Sequence, residues 1–371
     1  ADVSIQVHAF NEALRLLRRA LTLVESLPAS SARDRLEYEL IVAIQQPLVT
    51  VRSTGTSESL RLCHRGQQLE ETLQLDPDPG VARMLSIDLV AQRRFGDALA
   101  VGNQLLQFAK RSDKHPESVL STEARYVLGV TAHWQGNFQT ARTHFESGLD
   151  AYEEKFQHIH IADFGQDAGA VCAIRLAWTY WYLGYPEDAF KLCRETLERA
   201  KQLAHPRTLL YVSTWAAWLH HDSRSETAKD ESIHLLAHVA EKYGAASTLA
   251  FATLLHSWQK AKTGDIESEY SNIRSSVSIL KRSGERLMYG AAAAASDAQA
   301  RALYGDVDGG LRILDRTIAT VKSQGDIYYA AELYRLRGHV SIQAALADDI
   351  IERWYLAALD LARSQKTRTL E

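Results

Sequence analysis

The feature that most constrains this chain is a glycine that recurs between two apolar helical stretches. It stands in "AHWQGNFQTARTHFESGL" from Ala132, "TYWYLGYPEDAFKLCRETL" from Thr179, "QKAKTGDIESEYSNIRSSV" from Gln259 and "ARALYGDVDGGLRILDRTI" from Ala300. Gly136 and Gly184 lie 48 residues apart, Gly264 and Gly305 41 apart, and the interval between the pairs is 80, about two units. The missing copy falls at "WLHHDSRSETAKDESIHLL", with Ser223 in the glycine's place, and "AQRRFGDALAVGNQLLQFA" from Ala91 is a degenerate earlier copy. Glycine ends a helix in the left-handed conformation without a Cβ penalty. Five residues on, Ala141, Ala189 and Gly310 are small enough to let two backbones approach, whereas the third copy has Glu269. Each unit therefore predicts two antiparallel helices. One such hairpin cannot bury its own apolar face, but stacked neighbours can, so the unit has to repeat.

Composition agrees with helix almost throughout. The 371 residues include only 20 Gly and 7 Pro, with 46% hydrophobic and 24% charged residues. A net charge of −4 gives no global basic field for nucleic acid, and no apolar run reaches the roughly 20 residues that span a bilayer. Three cysteines without a CxxC pair argue against a disulfide framework and for a reducing cytoplasm. Residues 1–79 read as degenerate N-terminal helical repeats, and residues 80–371 as the array proper, with units of about 40 residues. Breaks fall at "LPASS", "TLQLDPDPG", "KRSDKHPES" and "LAHPRT". Weak turn signals mark Ser53–Ser59, and residues 153–169 are expected to form one long loop. The start, "ADVSIQVHAF", and the end, "SQKTRTLE", both read as cuts inside a longer protein.

Several residues could carry chemistry. "HIHIAD" brings His158, His160 and Asp163 together; alternating histidines in an extended segment can share one side and hold a metal, and a hidden hydrolase could be built on them. The plainer reading is a packed loop with Asp163 or Asp167 capping the helix that begins near Ala168. His220, His221 and Asp222 suit a helix C-terminus, with no nucleophile in register. Cys172 and Cys193 read as small buried hydrophobes. Paired arginines in "LRLLRRAL" and at Arg93–Arg94 are offset by Glu12, Glu25 and Asp97, as on a solvated face. No catalytic residue, metal or cofactor is assigned.

Aromatic residues and imidazoles form the remaining pattern. With Gly184 as the turn marker, Trp178 and Trp181 fall on the face of the first helix that lines a concave groove. The unit before contributes Tyr126 and His133, the next His220, and the one after Trp258. Such a row suits an extended peptide or an amphipathic helix. The alternative is that curvature buries the same residues as a seam between repeats.

The helix pairs resemble tetratricopeptide repeats: the Leu128-Gly129 and Leu336-Arg337-Gly338 steps, Tyr180 and the small residues above occupy that motif's packing positions. This resemblance implies an all-α, right-handed α-solenoid of tetratricopeptide-like helix-turn-helix repeats. "HIADFGQDAGAVCAIRLAWTYWYLGYPEDAFKLCRETLERAKQLAHPRTLLYVSTWAAWLHH", with "AAELYRLRGHVSIQA" and "AALDLARSQKTRTLE", is similar to the C-terminal helical region of bacterial STAND-type signalling ATPases. Those proteins carry a cyclase or DNA-binding regulator domain, a P-loop ATPase module and then the array. The chain has no GxxxxGK[ST] motif, so the ATPase motor is not in it. The resemblance implies a non-enzymatic sensor or regulatory region that binds a protein or peptide and acts on its own ATPase module, without contacting nucleic acid or membrane directly. The alternative is a small-molecule effector sensor with its pocket in the groove.

Overall fold

The computed structural model describes residues 3–51, 57–221, 226–283 and 286–370. Every regular element among them is helical. The first helices are α1 (Val3–Glu25), α2 (Ser31–Val51), α3 (Ser57–Leu73), α4 (Pro79–Ala91), α5 (Phe95–Ala109), α6 (Glu117–Trp134) and α7 (Phe138–Ala151). A short helix α8 (Gln157–Phe164) precedes α9 (Ala168–Leu183), α10 (Pro186–Leu203), α11 (Pro206–His221) and α12 (Glu226–Lys242). The rest are α13 (Ala246–Lys260), α14 (Ile266–Arg282), α15 (Arg286–Leu303), α16 (Val307–Gln324), α17 (Ala330–Gln343) and α18 (Asp348–Gln365). This is an all-α solenoid of helix pairs.

The four marker glycines do what the pattern requires. Gly136, Gly184, Gly264 and Gly305 have φ of 71°, 83°, 118° and 102°, and each lies between the two helices of a pair. Ala141 and Ala189 are fully buried, and a Cβ on Gly310 would lie 2.6 Å from the Ala298 carbonyl oxygen, so close packing requires a small residue there. Glu269, the exception, is nearly buried, with Lys260 and Asn272 as polar partners. Ser223 lies outside the described residues, as do residues 53–56 of the weak turn. Five other left-handed residues among those described are not glycine: Gln74 follows α3, Arg93 turns α4 into α5, Ala204 precedes α11, Ala345 precedes α18 and Lys366 follows α18.

The stretch 153–169, expected as a loop, instead holds a 3-10 turn at Glu154–Phe156 and α8, which Gly165 ends at φ 75°. Eight residues are too few to display a helical period, and the polar and turn-forming residues around them suggest a loop.

The chain forms two compact units. The first comprises Ala1–Thr131, His144–Cys172 and Leu203–Thr208; the second comprises Ala132–Thr143, Ala173–Gln202 and Leu209–Glu371. In the first, α1 to α5 pack each on the next, and α8 leans on α2 and α4. In the second, α12 to α18 pack in sequence, with a core from α15 to α18 around Leu314, Leu333, Leu336 and Val340. The second unit also returns on itself. The linker between α16 and α17 reaches α6, where the Tyr328 N–H donates to the Trp134 carbonyl (3.3 Å). The Gln365 side chain donates to the Ile327 carbonyl (2.9 Å), and the Thr369 hydroxyl donates to the Trp181 carbonyl. In a simple array each repeat touches only its neighbours.

Gly184 tests this return. A Cβ there would sit 2.6 Å from that of Arg368, and its φ already disfavours a side chain. Gly184→Ala is expected to cost about 2 kcal/mol or more in urea unfolding, whereas Gly244→Ala, at φ 67° in open space, costs about 1 kcal/mol.

Candidate functional site

Helix α9 is apolar on most of its surface, and Arg175, Trp178 and Tyr182 recur on one face at i, i+3 and i+7. All three are buried. The Trp178 indole N–H donates to the Trp215 carbonyl of α11 (2.9 Å), and its ring meets Trp215 and Trp218 edge-on at 5.2 and 4.8 Å. Trp215 and Trp218 stack at 5.5 Å. From the end of α6, His133 lies 5.9 Å from Trp178, and Trp134 meets Tyr328 edge-on at 4.5 Å. Phe138 stacks on Tyr182 at 4.5 Å. Aromatic residues from α6, α7, α9, α11 and the α16–α17 linker thus form one cluster within the second unit.

One cation lies in this cluster. The Arg175 guanidinium is 4.1 Å from the Trp215 ring centroid and 5.5 Å from that of Trp134. Its Nε, Nη1 and Nη2 are all buried, and none has a hydrogen-bond acceptor among the described residues. His133 is beside it. The Thr179 hydroxyl donates to the Arg175 carbonyl (2.8 Å), so the 3.2 Å contact between His133 Nδ1 and Thr179 Oγ1 requires the proton on Nδ1. Nε2 is then a bare acceptor, buried and without a partner. Burial, reinforced by the Arg175 charge, holds the His133 imidazole well below its ordinary value. It stays neutral beside the Arg175 charge.

The predicted groove residues separate. His133 and Trp178 belong to the buried cluster. Trp181 and His220 are partly exposed and join through Phe190, at 5.4 and 5.3 Å. Trp258 is 5% exposed, under the Lys262 ammonium. Tyr126, in the first unit, is buried beneath the Arg83 guanidinium at 4.9 Å. Sequence reasoning missed Arg175, because an arginine within an apolar helix carries no motif. Its three-residue offset from Trp178 was the available signal.

The other candidates take structural roles. Glu123 accepts from Arg83 and pairs with His160 Nδ1, each at 2.8 Å, with all three buried in the first unit. Asp167 accepts from the Ala170 N–H (2.7 Å) and the Tyr152 hydroxyl (2.7 Å), and so caps α9. Asp163 pairs instead with His115, which holds its carboxyl below the usual range, and His158 is exposed. On helical α8, His158 and His160 diverge. Among the described residues no group of three or more His, Cys, Asp or Glu side chains is placed to hold a metal. His221 is pushed down to about 3 by burial, while Asp222 lies outside the described residues. Burial raises the Cys63 and Cys172 thiols and pushes Cys193 up to about 12, so none is a reactive thiolate.

The tetratricopeptide repeat family model matches residues 170–205, which span α9, its turn and α10. The chain is 19% identical over 367 residues to an uncharacterized protein of Rhizobium meliloti (strain 1021). That alignment covers 98% of this chain and 35% of the relative, so the chain spans about a third of its length. Two solved structures share the fold over 98% of the chain. One is a Rap protein complexed with competence and sporulation factor (TM-score 0.64, 10% identity, 99% of that chain covered). The other is the Rap conjugation gene regulator of the plasmid pLS20 in complex with a Phr peptide (TM-score 0.54, 11% identity, 97% covered). At such identities the likeness establishes the fold alone.

One measurement tests the cluster and a second tests the buried histidines. Trp178→Ala removes a fully buried indole and its hydrogen bond, and is expected to cost about 4 kcal/mol in urea unfolding. Acid should also weaken the fold. His205, pushed down to about 4 by burial, and His221, at about 3, take up protons in the unfolded chain near pH 6.5 but resist them when folded. Their stabilisation is therefore complete above pH 6.5 and declines below it, by about 2 kcal/mol each between pH 6.5 and 5. Urea titrations at pH 7 and pH 5 check the sign.

Proposed function

We propose that the chain is a non-catalytic repeat scaffold that recognises a peptide or protein segment. The observation that carries this reading is the aromatic cluster around Arg175, in which a buried cation among aromatic rings has no acceptor among the described residues. Aromatic faces and a guanidinium are the groups that hold peptide side chains and carboxylates. The fold neighbours support it, since both were solved with a peptide or factor bound. Trp181, Phe190 and His220, partly exposed, supply a further contact surface.

In the parent protein the array acts as the sensor region of a bacterial signalling ATPase or transcription regulator. The similarity to STAND-type proteins supports this, as does the greater length of the Rhizobium relative. Binding would favour one packing of the array against the ATPase module, by the difference in affinity between the two arrangements. Three buried free thiols suit a reducing cytoplasm.

A second reading, as a small-molecule effector sensor, draws on a cleft of about 420 Å³ in the first unit. It opens between α3, α4 and α5, lined by Gln67, Glu70, Gln104, Phe108 and Arg111, and falls in the size range of ligand pockets.

Selection of a random peptide library on the full chain, followed by fluorescence polarisation with the recovered sequences, decides between the two. A common sequence binding at micromolar Kd or tighter is the expected result. Absence of any enriched peptide, together with a small molecule released when the purified chain is denatured, replaces this reading with the effector sensor.

A further inference from the structure

Arg175 poses a problem that the fold itself does not solve. A guanidinium has five N–H donors in a planar fork. Here all three nitrogens are out of contact with solvent, and no acceptor among the described residues reaches them. The rings of Trp215 and Trp134 offset part of the desolvation, through the attraction of a cation to an aromatic face. They accept none of its hydrogen bonds in the guanidinium plane. Removing a charged group from water without such partners is strongly unfavourable.

Two neighbours are incomplete in the same way. Among the described residues the buried Trp215 indole N–H has no acceptor, and the buried His133 Nε2 has no donor. The cluster therefore offers guanidinium and indole donors and one imidazole lone pair. Of these three groups only Arg175 is charged, because His133 is kept neutral by burial and by Arg175 itself.

We propose that Arg175, flanked by Trp134, Trp215 and His133, is the receptor for a ligand carboxylate, supplied by the carboxyl terminus of a peptide or by an acidic side chain. This rests on the peptide-binding reading above and names the group that is recognised. One planar cation between aromatic walls matches a planar monoanion; a phosphate monoester, near −2, would be undercompensated. The way in is the Gly325–Tyr329 linker. It lies over Trp134 through Tyr328 and is tied down by the Tyr328 N–H bond to Trp134 and the Gln365 bond to Ile327. The linker is the part of the cluster's cover that lies between helices, held by these two hydrogen bonds and the Tyr328 ring contacts, so it is the piece a ligand displaces.

The test uses the full chain and two small probes that differ only in charge, N-acetyl-L-tryptophan and N-acetyl-L-tryptophanamide, titrated by isothermal calorimetry. Wild type is expected to bind the acid at least about tenfold more tightly than the amide, the margin of a charge-assisted hydrogen-bonded pair. Arg175→Met abolishes the preference, and Arg175→Lys, which keeps the charge but not the fork, retains part of it. The methionine variant should melt at or above the wild-type temperature, since it removes an unpartnered cation; a large fall in Tm would show the guanidinium to be satisfied within the fold and would overturn the proposal. Equal affinity for acid and amide in wild type, or an unchanged ratio in Arg175→Met, overturns it as well. To assign the source, an N-acetylated pentapeptide with a free carboxyl terminus is compared with its amide, and with an amidated peptide carrying one internal Glu. Library peptides that bind wild type and Arg175→Met equally leave the peptide reading standing and remove this one. Acid-selective binding of the small probe with no library peptide recovered does the reverse.

Discussion

Much of the second unit depends on the contact between Tyr328 and Trp134. Residues 194 positions apart in the chain meet through an edge-on ring pair and a main-chain hydrogen bond. A helical array stabilised only by neighbours behaves as a one-dimensional system in which an end can fray without consequence for the middle. Here the α16–α17 linker and the residues after α18 are packed against the ends of α6 and α9, so that fraying of the C-terminal helices uncovers the aromatic cluster. Closing such a long loop has an entropic cost that grows only slowly with its length, and a few well-packed rings suffice to meet it.

The same cluster combines strength and deficiency. Trp178, Trp215, Trp218 and Tyr328 bury a large aromatic area, and the Trp178 indole finds its acceptor in a carbonyl of α11. Arg175, at the centre, finds none among the described residues. The first unit handles its buried arginine differently. Arg83 is as deeply placed, yet it donates to Glu123 and to Gln166 while lying over Tyr126. Glu123 in turn pairs with His160, so that α4, α6 and α8 share one polar core around the Arg83–Glu123 pair. The contrast between a completed arginine and an incomplete one, each over an aromatic ring, makes Arg175 the more informative residue for binding.

The sequence by itself determined the helical class and the pairing of helices. Glycines at Gly136, Gly184, Gly264 and Gly305 could be read as turns because left-handed backbone is nearly glycine's alone, and Ala141 and Ala189 as close approaches because only small side chains fit. Where Arg93, Ala204 and Ala345 took the same conformation, no residue type announced it. Helix α8 stayed hidden because its eight residues show no period, and with it the fact that His158 and His160 point apart.

What only the tertiary structure decided is which aromatic residues are covered. A helical period places Trp178 and Trp181 on the first helix of a pair, but it cannot say that α11 covers one and leaves the other partly exposed beside Phe190. Nor can it bring Tyr328 to Trp134, or show that no carboxylate among the described residues reaches Arg175. Burial and hydrogen-bond satisfaction depend on residues distant in the chain, whereas turn and helix signals are carried by residues within a few positions of one another.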